Sequence, residues 1–264
     1  MKRKITVMIL VIAGCLLLGL GFYHLYLEKH AGDSLEELQE SVKETQTPTP
    51  TEQPTITPEP TDTPTPETTK EPIEVPVDFA GLQAINSDIY AWITIPDTNI
   101  DYPILQGEDN AFYLDHSYDG SYAYEGSIYT ENYNTKTFED PNTLIYGHNM
   151  ANGSMFRDLH QFENGEFFDS HKDITIYMPN KILHYKVFAA YTTDDRHIML
   201  SYDFSNKDVY TQYLQSIMEI RDMSAHIDDT VELNSDSKII TLSTCTSSDS
   251  DRYLVQAVLV SIEE

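Results

Sequence analysis

KIITLSTCTSSDSDRYLVQAVLV, residues 238–260, is the stretch on which the reading of this chain turns. A β-branched apolar run ends at Cys245, a loop of small and acidic residues follows, and Arg252 opens a second apolar run. Two such runs across a short polar loop predict an antiparallel strand pair. The cysteine would then leave one strand where the arginine enters the next, at one end of a sheet. Alternate residues of a strand share a face. Cys245 therefore belongs with Ser243 and Thr241, and Ile240, Leu242 and Thr244 belong to the other side. A free cysteine is commonly a small buried hydrophobe, but this one stands among hydroxyls beside a fixed cation. A guanidinium favours the thiolate and can hold a developing oxyanion.

The cysteine count sharpens this. The chain has 264 residues and two cysteines, Cys15 and Cys245. Residues 5–27 contain no Asp, Glu, Lys or Arg and are long enough for a hydrocarbon core of about 30 Å. Lys2, Arg3 and Lys4 precede them, so residues 1–4 are expected in the cytoplasm, 5–27 as a transmembrane signal-anchor, and the remainder outside. Tyr23 and Tyr26 fall where an interfacial aromatic belt would lie. Ile12-Ala13-Gly14-Cys15 resembles a bacterial lipobox, but the LLLGLGF that follows stays apolar, and a cleaved signal has a shorter apolar core. An uncleaved anchor is the expectation; both routes tether the domain to a membrane. Cys245 is then an extracytoplasmic thiol with no partner in its own chain.

Residues 28–72 read as a Pro/Thr-rich extracellular stalk. Residues 33–43 (DSLEELQESVK) suit a short amphipathic helix, and residues 45–72 are low-complexity Thr and Pro. At about 3.1 Å per residue an extended polyproline-like spacer of that length spans on the order of 90 Å. Residues 73–264 have the composition of one globular domain. The net charge of −27, from 43 acids against 16 bases, excludes nucleic acid as a partner, because its binding requires Lys and Arg to replace counterions.

Within the domain, Phe79, Leu82, Ile85 and Ile89 recur at helical spacing. Short β-rich runs follow at 92–95, 100–105, 126–130, 143–146, 174–178 and 182–191, separated by turn residues. A second helix is predicted over 208–223, with Val209, Tyr213, Ile217 and Ile220 on one face. Many short strands with few helices predict a mostly β domain, a closed or nearly closed barrel with helical insertions.

A thiol nucleophile also needs a proton carrier, most often histidine. Of nine histidines, His148 stands apart: Thr143-Leu144-Ile145-Tyr146 is a strand, Gly147 permits a sharp exit, and His148-Asn149 follows. That places it at a strand end, like Cys245. His116, His160, His171, His184, His197 and His226 have ordinary core or surface explanations.

Taken together, TLSTC at 241–245, the downstream Arg252 and the upstream YGHN at 146–149 resemble the sortases, over roughly residues 77–262. The helix before the first strand, the YAWITIP opening at 90–96 and the helix over 208–223 resemble class B of that family. The resemblance implies an eight-stranded sortase-type β-barrel with an N-terminal helix and a long helix before the penultimate strand. It implies a cysteine transpeptidase that cleaves the C-terminal sorting signal of secreted proteins after Thr. The Thr carbonyl is then joined to an amine of peptidoglycan or its lipid-linked precursor, anchoring surface proteins to a Gram-positive cell wall. Cys245 would be the nucleophile, His148 the acid and base, and Arg252 the oxyanion partner, with Ser243 and Thr244 as substrate contacts. It calls for no cofactor and no metal; the acids around Asp249 and Asp251 lack the ordered spacing of a calcium loop.

Two other functions compete. A papain-like wall peptidase puts Cys before His and at a helix start, whereas here His precedes and Cys ends a strand. A non-catalytic binding module on a stalk accounts for the anchor and the acidity but leaves the thiol unexplained.

Overall fold

The two runs flanking the Cys245 loop pair as antiparallel strands, and the remaining strands close around them. The computed structural model describes residues 18, 19, 23, 37–40, 73–248 and 250–264. The rest of the predicted membrane segment 5–27 and of the stalk 28–72 lies outside the described residues. Among the described residues, no helix is long and apolar enough to cross a membrane.

The strands are β1 Ile89–Thr94, β2 Asp101–Leu105, β3 Ile128–Thr130, β4 Asn142–Tyr146, β5 Asp173–Met178, β6 Lys181–Asp194, β7 His226–Ile227, β8 Ile239–Cys245 and β9 Asp251–Glu263. Their order is β5-β1-β2-β3-β4-β8-β9-β6-β7, and β5 also pairs with β6. All strands but the two-residue β7 therefore form a closed, eight-stranded barrel. Closure leaves β8, which carries the cysteine, with partners on both sides: β4 parallel and β9 antiparallel.

Among the described residues from 73 onward, the helices α1 Phe79–Ile85, α2 Gly165–Ser170, α3 Ile198–Ser201 and α4 Lys207–Met218 decorate this barrel. Two differ from the sequence expectation. Ile89 is not on the face of α1 but opens β1. The Asn86 N–H caps the Leu82 carbonyl and the Asn86 side chain takes the Asp88 N–H, so the chain turns at Asn-Ser-Asp. Likewise α4 ends at Met218, not 223, because Arg221 donates to the Met218 and Ile220 carbonyls and closes the helix. The buried stripe of α4 is Tyr210, Tyr213, Leu214 and Ile217, which leaves Val209 and Ile220 at its margins.

The alternation along β8 divides two cores. Ile240 and Leu242 enter the barrel with Ile93, Ile104, Ile145, Val187 and Val255. Ile239 faces outward with Leu144 and Leu254, under Tyr210, Tyr213, Leu214 and Ile217 of α4. Between them runs a buried polar seam. Thr241 Oγ1 donates to Asn142 Oδ1 at 2.8 Å, and Gln256 Nε2 donates to Thr241 Oγ1 at 2.8 Å and to Tyr213 Oη at 2.9 Å. Each satisfied bond contributes about 1 kcal/mol, and losing one partner costs more than that. The seam fixes the register of β4, β8 and β9 against α4. A third cluster packs α1 on the barrel's flank through Phe79, Leu82 and Trp92, and Leu38 is buried in it. Gln39 adds a bond to the Asp101 carbonyl at 2.6 Å, so residues 37–40 of the predicted spacer lie against the domain.

Candidate active site

The parallel register of β4 and β8 ends with Tyr146 opposite Ser243. His148 lies two residues beyond the first and Cys245 two beyond the second, so both reach the same edge of the barrel. On the other side of β8, Cys245 is paired directly with Arg252, which in turn pairs with Thr193 of β6. Cys245, His148 and Arg252 all line one cavity of about 290 Å³, with Ser243, Thr244, Tyr146, Leu114, Ile198 and Leu254 in its walls.

Gly147 makes this approach possible. Its N–H donates to the Ser243 carbonyl at 3.2 Å. A Cβ there would sit 2.5 Å from Ile128 Cδ1 and 2.7 Å from Phe156 Cγ. The glycine is required for space, not for the sharp exit expected from the sequence.

His148 is held from one side. Its Nε2 lies 2.7 Å from the Leu114 carbonyl, and a carbonyl only accepts, so Nε2 carries a hydrogen there. Nδ1 is then the nitrogen left to take or give a proton. Tyr124 stacks beside the ring at 6.5 Å and 12°. The Leu114 carbonyl is presented by a 3₁₀ turn, Phe112–Leu114, that Asp109 closes by accepting the Ala111 and Phe112 N–H groups at 2.9 Å. Those two bonds hold the Asp109 carboxyl below its ordinary value.

Cys245 is half-buried and held from the other side, through its main chain. Its carbonyl accepts from Asn149 Nδ2 at 2.9 Å and lies 3.1 Å from His160 Nε2. Arg157 donates to Asn149 Oδ1 at 3.0 Å, which turns the amide nitrogen toward the cysteine. Arg252 donates to the Asp251 carbonyl at 2.9 Å, which bends its guanidinium over the head of β9.

Ser243 and Thr244 differ. Ser243 is on the outward face with Cys245 and lines the cavity. Thr244 alternates to the face of Ile240 and Leu242, and its hydroxyl is buried with no hydrogen-bond partner among the described residues.

Beneath the cavity lies a fully buried carboxylate, Glu131. It accepts from Tyr146 Oη at 2.8 Å and Asn110 Nδ2 at 2.5 Å, and His197 Nε2 pairs with it at 3.1 Å. Burial pushes the Tyr146 and Tyr129 hydroxyls far above their ordinary value, with Glu131 adding to it, so both remain neutral donors. One acid thus ties the β2–β3 connection, β4 and the segment after β6. Asn149 stands inside the YGHN motif yet had no role assigned from sequence. Glu131, His160 and His197 carry no sequence signal that separates them from ordinary polar positions; Glu131 meets Asn110, Tyr146 and His197 from 21, 15 and 66 residues away, and His160 meets Cys245 from 85.

Known proteins share this architecture. Residues 93–260 match the family model for the sortase domain. Sortase B of Listeria monocytogenes is 36% identical over 190 residues, covering 71% of this chain and 76% of that protein. Sortase B of Staphylococcus aureus is 31% identical over 198 residues, covering 73% and 79%. Among solved structures, a sortase B from B. anthracis in complex with AAEK1 aligns with a TM-score of 0.70 and 31% identity, over 90% of this chain and 99% of that one. Clostridium perfringens sortase B aligns with a TM-score of 0.64 and 34% identity, over 70% and 100%. These matches define the class of protein: a sortase domain, the closed barrel of a family of cysteine transpeptidases. The chain belongs to the sortase family, and the relatives named above are sortase B, a cysteine transpeptidase of the Gram-positive cell surface.

Proposed function

We propose that residues 73–264 are the catalytic domain of a sorting-signal transpeptidase in which Cys245, His148 and Arg252 act on one peptide. The Cys245 thiolate attacks the carbonyl of the signal's Thr, and the tetrahedral oxyanion is met by Arg252. The C–N bond then breaks, His148 gives its proton to the departing amine, and a thioester joins the Thr to Cys245. An amine of peptidoglycan or its lipid-linked precursor attacks that thioester. His148 takes the amine's proton, the new amide forms and the thiolate leaves. Ser243 contacts the peptide from the cysteine's own face, and Thr244 contributes main chain.

The single observation that carries this is register: Tyr146 opposite Ser243 and Cys245 opposite Arg252 bring the three groups to one barrel edge. That a solved Staphylococcus aureus sortase B, 30% identical with a TM-score of 0.62, forms a substrate complex supports this reading. The cargo is a secreted protein bearing the signal. The same reading makes residues 5–27 the anchor, with 1–4 inside and 28–72 as the spacer. Extraction of the full chain from membranes by detergent but not by high salt would support that anchor, and release by salt alone would oppose it.

A peptide library of Pro-x-Thr-containing signals, assayed with an added amine, tests the activity. Cys245→Ala is expected to abolish turnover. Arg252→Ala should lower it about 10²- to 10³-fold, the usual loss for one oxyanion donor. His148→Ala should lower it about 10²- to 10⁴-fold. Turnover that survives Cys245→Ala would sink the mechanism.

A further inference from the structure

The cysteine's carbonyl is gripped by groups that transpeptidation does not use. We infer that His160, set by Glu163, is a positioning residue for the nucleophile; this rests on the transpeptidase reading of Cys245.

His160 belongs to the 3₁₀ segment Arg157–Glu163 behind β8. Its Nδ1 faces Glu163 Oε1 at 2.7 Å, and its Nε2 faces both the Cys245 carbonyl and Asn149 Nδ2 at 3.1 Å. A carboxylate only accepts, so Nδ1 carries a hydrogen. Nε2 then has two states. Unprotonated, it accepts from Asn149, whose other amide hydrogen goes to the Cys245 carbonyl. Protonated, it donates to that carbonyl itself. In both states the carbonyl is clamped, and Asn149 is the residue next to His148. The clamp therefore spaces the proposed nucleophile from the proposed acid and base.

The ring also stacks on Tyr253 at 5.0 Å and 23°. Tyr253 follows Arg252 on β9 and pairs with Thr244. One imidazole thus braces the head of the cysteine strand through a hydrogen bond and the head of the arginine strand through a ring contact. The segment is rigid, since Leu159 and Phe162 on either side of His160 are fully buried. The polar groups face one strand end, where β8 has no further partner on β9. Small displacements of a reacting atom are costly in rate, so the effect belongs in kcat and not in binding.

The test uses the full chain, a peptide that the wild type turns over, and iodoacetamide as a probe of Cys245 that needs no turnover. His160→Ala should lower kcat about 10-fold with KM within about 2-fold, and change the alkylation rate at Cys245 by at least about 3-fold. His160→Gln keeps an N–H for the carbonyl and should restore kcat to within about 3-fold of wild type. Glu163→Gln, at an exposed carboxylate whose loss does not threaten the fold, should lower kcat about 3-fold. A His160→Ala kcat within about 2-fold of wild type, or a loss that His160→Gln does not relieve, would overturn the inference. If the wild type turns over no peptide, the transpeptidase reading fails, and an alkylation rate unchanged by His160→Ala then overturns the clamp separately.

Discussion

The two walls that meet at Cys245 are built on different principles. The wall that holds His148 is the connection between β2 and β3, where one side-chain cap and one backbone carbonyl fix an imidazole beside exposed Tyr124. The wall that holds Cys245 runs from Asn149 to Glu163 and is rooted in the core by Met155, Phe156, Leu159 and Phe162. The first wall is local and polar; the second is part of the barrel. The group that moves protons is held lightly, and the atom that forms the bond is held by the fold.

Damage to the two walls should therefore separate. Phe156→Ala removes a fully buried ring shared by Gly147 and the barrel core, and should cost about 3–5 kcal/mol of unfolding free energy by thermal or denaturant melts. Gly147→Ala forces a methyl against Ile128 and Phe156 and should cost about 1–3 kcal/mol, with activity lost alongside stability. Asp109→Ala, in the other wall, should lower kcat about 3-fold while leaving the melting temperature nearly unchanged, since it frees only the turn that presents the Leu114 carbonyl. A stability loss for Asp109→Ala equal to that of Phe156→Ala would erase the distinction.

The smallest effect near neutrality comes from the tyrosines. Tyr129 and Tyr146 under the cavity, and Tyr253 behind Cys245, are all raised by burial from an ordinary value of 10.0. Raised folded values mean that the native state keeps protons the unfolded state loses, so stability is full below pH 10 and falls as pH rises above it. Base titration should show tyrosinate absorbance from these residues appearing together with unfolding, not before it. Tyrosinate that forms while the fold is intact would contradict the burial argument.

Much of this was legible in the chain. The strand runs at 92–95, 100–105, 143–146 and 174–178 lie within one to three residues of β1, β2, β4 and β5, because β-branched alternation and turn residues bound them. The Cys245 to Arg252 pairing was legible because a short loop leaves two flanking strands few registers. What was not legible came from contacts across the closed barrel. His160 meets Cys245 from 85 positions away, and no local pattern distinguishes it from a surface histidine. The role of Gly147 is hidden for the same reason: its constraint is Phe156, a residue brought back by the chain's return through Asn149 and Met155. Helix ends failed where a side chain, Asn86 or Arg221, outvoted the apolar spacing.

The most direct test of the proposed chemistry is intact-mass detection of the acyl intermediate. The full chain is mixed with a sorting peptide without any acceptor amine, quenched in acid and weighed. A mass increase equal to the peptide fragment ending in Thr, mapped to Cys245, removed by hydroxylamine and absent in Cys245→Ala, is the expected result. Peptide cleavage with no adduct on Cys245, or an adduct that persists in Cys245→Ala, would contradict it.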